Sequence, residues 1–138
     1  MATWGPDGSL GLDEGQTYEF KVPAHCRATL QFSADAWWEN ACIIYPSRPR
    51  RPQKYCERGN YSRSLANWVA PVREEDAYYL ITGWHKDGPP KASVPWHQSR
   101  IMVHEENTTE TFHEVSFEDV HSSDGYDDLR VTVTIRPT

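Results

Sequence analysis

Leu129-Arg130-Val131-Thr132-Val133-Thr134-Ile135-Arg136 places an apolar residue at every second position and a polar one between. Successive side chains on a strand point to opposite faces, so this stretch predicts a half-buried β-strand. The same period of two recurs upstream, where Tyr18, Phe20 and Val22 alternate with Glu19 and Lys21, and Ala28, Leu30 and Phe32 with Thr29 and Gln31. Ala41–Tyr45, Tyr78–Trp84, Ser99–His104 and Thr111–Val120 are rich in β-branched or aromatic residues and bounded by Gly, Pro, Asn or Asp, which predicts further strands. No stretch sustains a capped 3.6-residue period. A sheet with one apolar face must bury it, and without an amphipathic helix the cover is a second sheet. The expectation is an all-β, single-domain antiparallel β-sandwich over residues 1–138, jelly-roll-like, with seven or more strands. Residues 1–15 read as an irregular N-terminal arm and 46–63 as a long basic loop.

At 138 residues, 38% hydrophobic and 12% aromatic, the chain can bury one core but not two. Its prolines gather in connections (Pro46, Pro49 and Pro52; Pro89, Pro90 and Pro95), where no ladder N–H is lost. The formal charge of −6 argues against nucleic acid as the main partner. No apolar run approaches the roughly 18–20 residues that cross a bilayer, so no membrane insertion is expected. Residues 1–20 show no export signal. The expected location is cytoplasmic or non-classically secreted, or the chain is one from which a signal has been removed. Cys26, Cys42 and Cys56 match no zinc-site spacing and read as reduced structural thiols, with one disulfide plus a free thiol as the alternative.

Charge is unevenly distributed. Six basic residues lie in 48–63, whereas 105–128 carries nine acids and no Lys or Arg. Within the acidic half, Glu118, Asp119, Asp124, Asp127 and Asp128 crowd five carboxylates into eleven residues directly before the terminal strand. Such a cluster repels itself unless protons or a cation occupy it, and hard oxygen ligands along a turn suit Ca²⁺. A solvated acidic turn, with Asp124-Gly125 as a hairpin signal, is the alternative.

Phe117-Glu118-Asp119, a short gap, then Tyr126-Asp127-Asp128-Leu129 is similar to the closing motif of a bacterial family of calcium-associated extracellular domains. That motif reads FED, a Gly/Asp-rich gap, then D-x-D-[FY]-N-D-[LV]. Here Asp127 replaces the Asn, and Ser123 and Gly125 stand where the family has two upstream aspartates. Asn67-Trp68-Val69-Ala70-Pro71 before the strand Tyr78–Trp84, with the acidic Tyr-containing loop, also resembles the PA-IL type of calcium-dependent galactose-binding β-sandwich lectin. The resemblance implies Ca²⁺ held by loops at one end of the sandwich, with sugar hydroxyls completing its shell. Asp127 and Asp128 are the counterparts of that family's Asn ligands.

Trp84-His85 and Trp96-His97 bracket a proline-stiffened loop that includes Asp87. Aromatic faces beside His, Asp and Lys are the ingredients of sugar recognition, although Trp84 and Trp96 can equally be core residues. If Trp37-Trp38 lie in a strand, one faces the core and the other faces solvent or an interface. His104-Glu105-Glu106 and His113-Glu114 lack the paired histidines of a zincin helix, although His104, His113 and His121 could meet in space. No GxSxG, GxxxxGK[ST] or GxGxxG motif is present. The run Ser47–Arg63, with Tyr45, Tyr55 and Tyr61 interleaved, could grip an anionic polymer or dock on the acidic end of a second copy. Asn60-Tyr61-Ser62 and Asn107-Thr108-Thr109 are glycosylation sequons.

Taken together, the sequence predicts a non-enzymatic lectin whose partners are glycans or glycoconjugates. Asp124, Asp127 and Asp128, joined by Glu118 or Asp119, would hold Ca²⁺, and Trp84, His85, Asp87, Trp96 and His97 would form the ligand platform. Weak single-site binding favours a homo-oligomer acting by avidity. The alternatives are a self-assembling module with acidic and basic faces, and a small metal-dependent hydrolase.

Overall fold

The structure, a computed structural model, describes residues 12–34, 39–49, 51, 53, 55–60, 64–86, 96–118 and 129–138, without the side chains of 57–60 and 64. Among the described residues, ten strands form two five-stranded sheets, an all-β sandwich. They are β1 Tyr18–Val22, β2 Cys26–Ala34, β3 Asn40–Pro46, β4 Cys56–Asn60, β5 Ser64–Ala70, β6 Ala77–Lys86, β7 Trp96–Gln98, β8 Arg100–Val103, β9 Phe112–Glu118 and β10 Leu129–Pro137. Every pairing is antiparallel. The first sheet runs β1-β6-β3-β4, with β7 also on β6, and the second runs β5-β2-β10-β9-β8. β1 pairs with Ala77–Ile81 and β7 with Trp84–Lys86, so both lie end to end along one edge of β6.

The alternation that predicts β10 works as expected: Leu129, Val131, Val133 and Ile135 point into the core between the sheets, beside Ala28, Leu30, Phe32 and Ala34 of β2. From the first sheet come Phe20, Val22, Cys42, Ile44, Tyr79 and Ile81. Gly83 belongs to this face as well, because a Cβ there would overlap the ring of Phe117 on β9.

The first sheet is buried on its other face too. Ala41, Ile43, Tyr45, Leu80 and Trp84 form a second apolar cluster, with Leu12 and Trp96 packed against it. β3 therefore reads as an uninterrupted apolar run rather than an alternation, as strands covered on both faces do. Among the described residues the three cysteines form no disulfide; Cys42 and Cys56 are buried and Cys26 is half-buried.

Two expectations need correction. The segment 46–63 is not loop throughout: β4 occupies Cys56–Asn60 and pairs with β3. Its Cys-Glu-Arg-Gly-Asn sequence has neither alternation nor β-branched residues, and it forms a strand because the exposed edge of β3 supplies the ladder. β5 is a second edge strand, on Ser64–Ala70, and the register shift between Leu30 and Phe32 on its partner breaks the pattern that would announce it. Within the expected arm, Glu14–Gln16 forms a 3₁₀ turn capped by the Asp13 side chain.

Candidate functional site

Residues flanking four connections lie at one end of the sandwich: Ala34 and Asn40, Asn60 and Ser64, Lys86 and Trp96, Glu118 and Leu129. The topology thus draws the flanks of the acidic turn and the Trp-His pairs, which are far apart in sequence, to the same end. Asp87, Asp119, Asp124, Asp127 and Asp128 lie outside the described residues, as do Trp37, Trp38 and His121.

Of the platform residues, the β6–β7 pairing brings Trp84, His85, Trp96 and His97 onto neighbouring strands: His85 is opposite His97, Trp84 is opposite Gln98, and Trp96 is opposite Lys86. They are not equally accessible. Trp84 is 2% exposed, sits in the second apolar cluster and donates its indole N–H to the Thr82 hydroxyl at 2.8 Å. His85 is 1% exposed, and its Nδ1 is 2.8 Å from the Ser99 hydroxyl. These two are the buried footing of the site rather than surface for a ligand. His97 is exposed, with its ring centroid 5.7 Å from that of His85, and Trp96 is half-buried. The Lys86 ammonium lies 4.9 Å from the Trp96 ring centroid and 2.8 Å from the Glu39 carboxylate. A cation over an indole face fixes the ring's orientation and adds roughly 0.5–2 kcal/mol.

Glu118 ends β9 at the root of the acidic turn. It is 8% exposed and receives a 2.7 Å hydrogen bond from Arg100 Nη2, so a cation already faces this buried carboxylate. Among the described residues, no three His, Cys, Asp or Glu side chains are grouped to hold a metal ion.

His104 and His113 do not converge. His104 Nε2 is 2.8 Å from the Ser116 hydroxyl, whereas His113 shares the face of Val115 and Phe117 and meets the Tyr18 hydroxyl at 2.6 Å. Burial holds the His113 pKa below the ordinary 6.5.

Sequence reasoning missed the residues that secure this end. Ser99 anchors His85, and its backbone N–H bonds the Gly83 carbonyl at 2.8 Å. Gln98 bonds the backbone of Asp13 through both atoms of its amide, and Gln16 accepts from the Ile101 N–H. Each contact joins segments more than ten residues apart in sequence, so local pattern carries no signal of them.

No protein-family model matches the sequence, and a search of curated proteins finds no match. Solved structures do share its backbone. The C-terminal domain of the BC2L-C lectin from Burkholderia cenocepacia superposes with a TM-score of 0.61 at 15% identity, over 87% of this chain and 95% of that one. The Chromobacterium violaceum lectin CV2L, solved with α-methyl-fucoside, gives 0.59 at 14% identity, over 92% and 99%. The Ralstonia solanacearum high-affinity mannose-binding lectin gives 0.59 at 16% identity, over the same shares. The chain therefore has the β-sandwich fold of these bacterial lectins.

Proposed function

We propose that this chain binds carbohydrate without chemistry, at the end of the sandwich where the acidic turn and the Trp-His pairs are rooted. The observation that carries the reading is the backbone it shares with three proteins named as lectins, over 95–99% of their chains. One of them was solved with a fucoside, and another is named for mannose binding. The site's chemistry supports the same conclusion. Trp96, steadied by Lys86, and the exposed His97 offer an aromatic face and a hydrogen-bonding edge, with Trp84 and His85 behind them and Asp87 next in sequence after Lys86.

In this reading Asp124, Asp127 and Asp128, with Glu118 or Asp119, hold Ca²⁺. The ion orients vicinal hydroxyls while the ring stack excludes water. One such site binds weakly, so a dimer or higher oligomer acts by avidity.

Thermal unfolding in calcium and in EDTA tests the metal. Calcium at about a hundred times its Kd adds about 2.7 kcal/mol, a rise of roughly 8–10 °C in Tm for a domain of this size. Asp128→Ala should abolish the rise. Identical melting in the two buffers would remove calcium from the account.

A further inference from the structure

The end of the sandwich opposite the acidic turn has a cleft of about 670 Å³ between the β3–β4 and β5–β6 connections. Three guanidinium groups and three tyrosines line it: Arg48, Arg51, Arg73, Tyr55, Tyr78 and Tyr79. Such an accumulation of planar cations and aromatic rings is not needed to close a sandwich. We infer that this cleft is a second, metal-independent binding site, and that its ligand is an acidic sugar, one whose ring carries a carboxylate or sulfate.

Arg48 belongs to the frame. It makes two bonds to the Glu19 carboxylate, Nη2 at 2.7 Å and Nε at 3.3 Å, and lies 4.1 Å above the Tyr78 ring. Ser47 adds a 2.7 Å bond to the same carboxylate. Asp76 is likewise committed, to Lys21 at 3.3 Å and to the Ala24 N–H at 2.9 Å. These pairs neutralise each other and shape the wall.

Arg73 and Arg51 are different. Arg73 donates to the Tyr55 hydroxyl at 3.2 Å and lies 5.8 Å from that ring's centroid, so its plane is set by an aromatic partner rather than by a carboxylate. The buried Tyr79 hydroxyl is adjacent to it and completes no well-formed hydrogen bond among the described residues. Arg51 is exposed, and among the described residues it has no ion pair. Two cationic forks are thus available to an anion, and a fork with a fixed plane loses little freedom when it takes a carboxylate or sulfate by paired hydrogen bonds. Tyr55 is itself held rigid, edge-on to Tyr79 at 5.4 Å and stacked on Trp68 at 6.5 Å.

The remaining charges indicate a sugar rather than a bare anion. Glu74 and Glu75 are exposed on the rim of the same cleft. They would repel a dense polyanion, but carboxylates accept hydrogen bonds from ring hydroxyls. Cationic forks for one substituent, carboxylates for hydroxyls and tyrosine faces for C–H surface together match a saccharide with a single negative group.

The test is an amide-detected NMR titration of the full chain in EDTA, which excludes any calcium-borne site. The probes are methyl β-glucuronide, glucose 6-sulfate and, as the neutral control, methyl β-glucoside. At least one anionic probe should shift the resonances of Tyr55, Arg73 and Tyr78, with the glucoside weaker by about ten-fold, the worth of one charge-assisted pair. The anionic probe that responds identifies the substituent. Arg73→Gln should weaken it by about ten-fold while leaving the melting temperature unchanged, and Arg73→Lys should recover only part, because the fork is lost. Neither anionic probe shifting these resonances more strongly than the glucoside, shifts confined to other parts of the chain, or full binding by Arg73→Gln would each overturn the inference.

Discussion

The Arg100 guanidinium meets the Glu118 carboxylate at 2.7 Å across the terminal register pair of β8 and β9, and the two side chains differ sharply in exposure, 63% against 9%. The cation is largely in water while the anion is largely out of it. Solvent screening weakens the attraction, but removing Arg100 leaves a buried carboxylate undercompensated. Arg100→Ala should therefore lower stability by about 1 kcal/mol in EDTA. If Glu118 ligates calcium, adding the ion should restore much of that loss. Urea denaturation of the variant in the two buffers measures both effects, and an equal loss in each would leave Glu118 as a structural carboxylate.

His113 should make the fold acid-sensitive. Burial pushes the Tyr18 phenol pKa up, and its hydroxyl is hydrogen-bonded to His113 Nδ1 at 2.6 Å. The other ring nitrogen, Nε2, is buried without a partner among the described residues, so the doubly protonated ring would bury an N–H with no acceptor. Burial also holds the folded pKa of His113 below the ordinary 6.5. The unfolded chain takes up this proton more readily than the folded one, so the contribution is fully present above 6.5 and is lost as pH falls through the folded value. Chemical denaturation from pH 8 to pH 5 should show a decline below about 6.5 that is shallower in His113→Phe.

Phe117 packs flat against the bare backbone of Gly83, joining the two sheets beneath the candidate site. A methyl group there would overlap the ring, and neither a β6 backbone fixed by β3 nor a fully buried ring can yield cheaply. Gly83→Ala should cost about 1–3 kcal/mol through overpacking. Denaturation midpoints of the variant and the parent chain decide this.

Thiol accessibility checks the core directly. Cys42 and Cys56 are buried and Cys26 is only half-buried. A thiol reagent such as DTNB should react with Cys26 in the native chain and with the other two only on unfolding. Rapid native labelling of Cys42 would contradict the packing of β3 between its two apolar layers.

How far the sequence revealed this molecule varies with the element. β10 was legible because one of its faces is polar, and β1 and β2 for the same reason. β3 and β6 carry apolar residues on both faces, so their strand character showed in composition while their orientation did not. That is why Trp84, a candidate for sugar stacking, lies instead in the second apolar layer. β4, β5 and β7 are short or irregular edge strands that owe their form to a neighbour's ladder. At the candidate site, the Trp-His pairs read as the flanks of a loop, and the structure places them on two strands that are register partners, one of which, Trp96–Gln98, the sequence pattern did not announce. Thr82, Ser99 and Glu39, which fix those side chains, could not be read because tertiary pairing alone brings most of them near. The basic run in 46–63 hinted at the arginine cleft, but Arg73, Tyr78 and Tyr79 reach it from another segment.

The most direct measurement of the central claim is a glycan array probed with the full chain, once with calcium and once with EDTA. The account predicts selective glycan binding in calcium that disappears in EDTA and in Asp127→Ala, and that Trp96→Ala weakens in the calcium buffer. An array blank in both buffers, or a neutral-glycan signal unchanged by EDTA and by both substitutions, would contradict it.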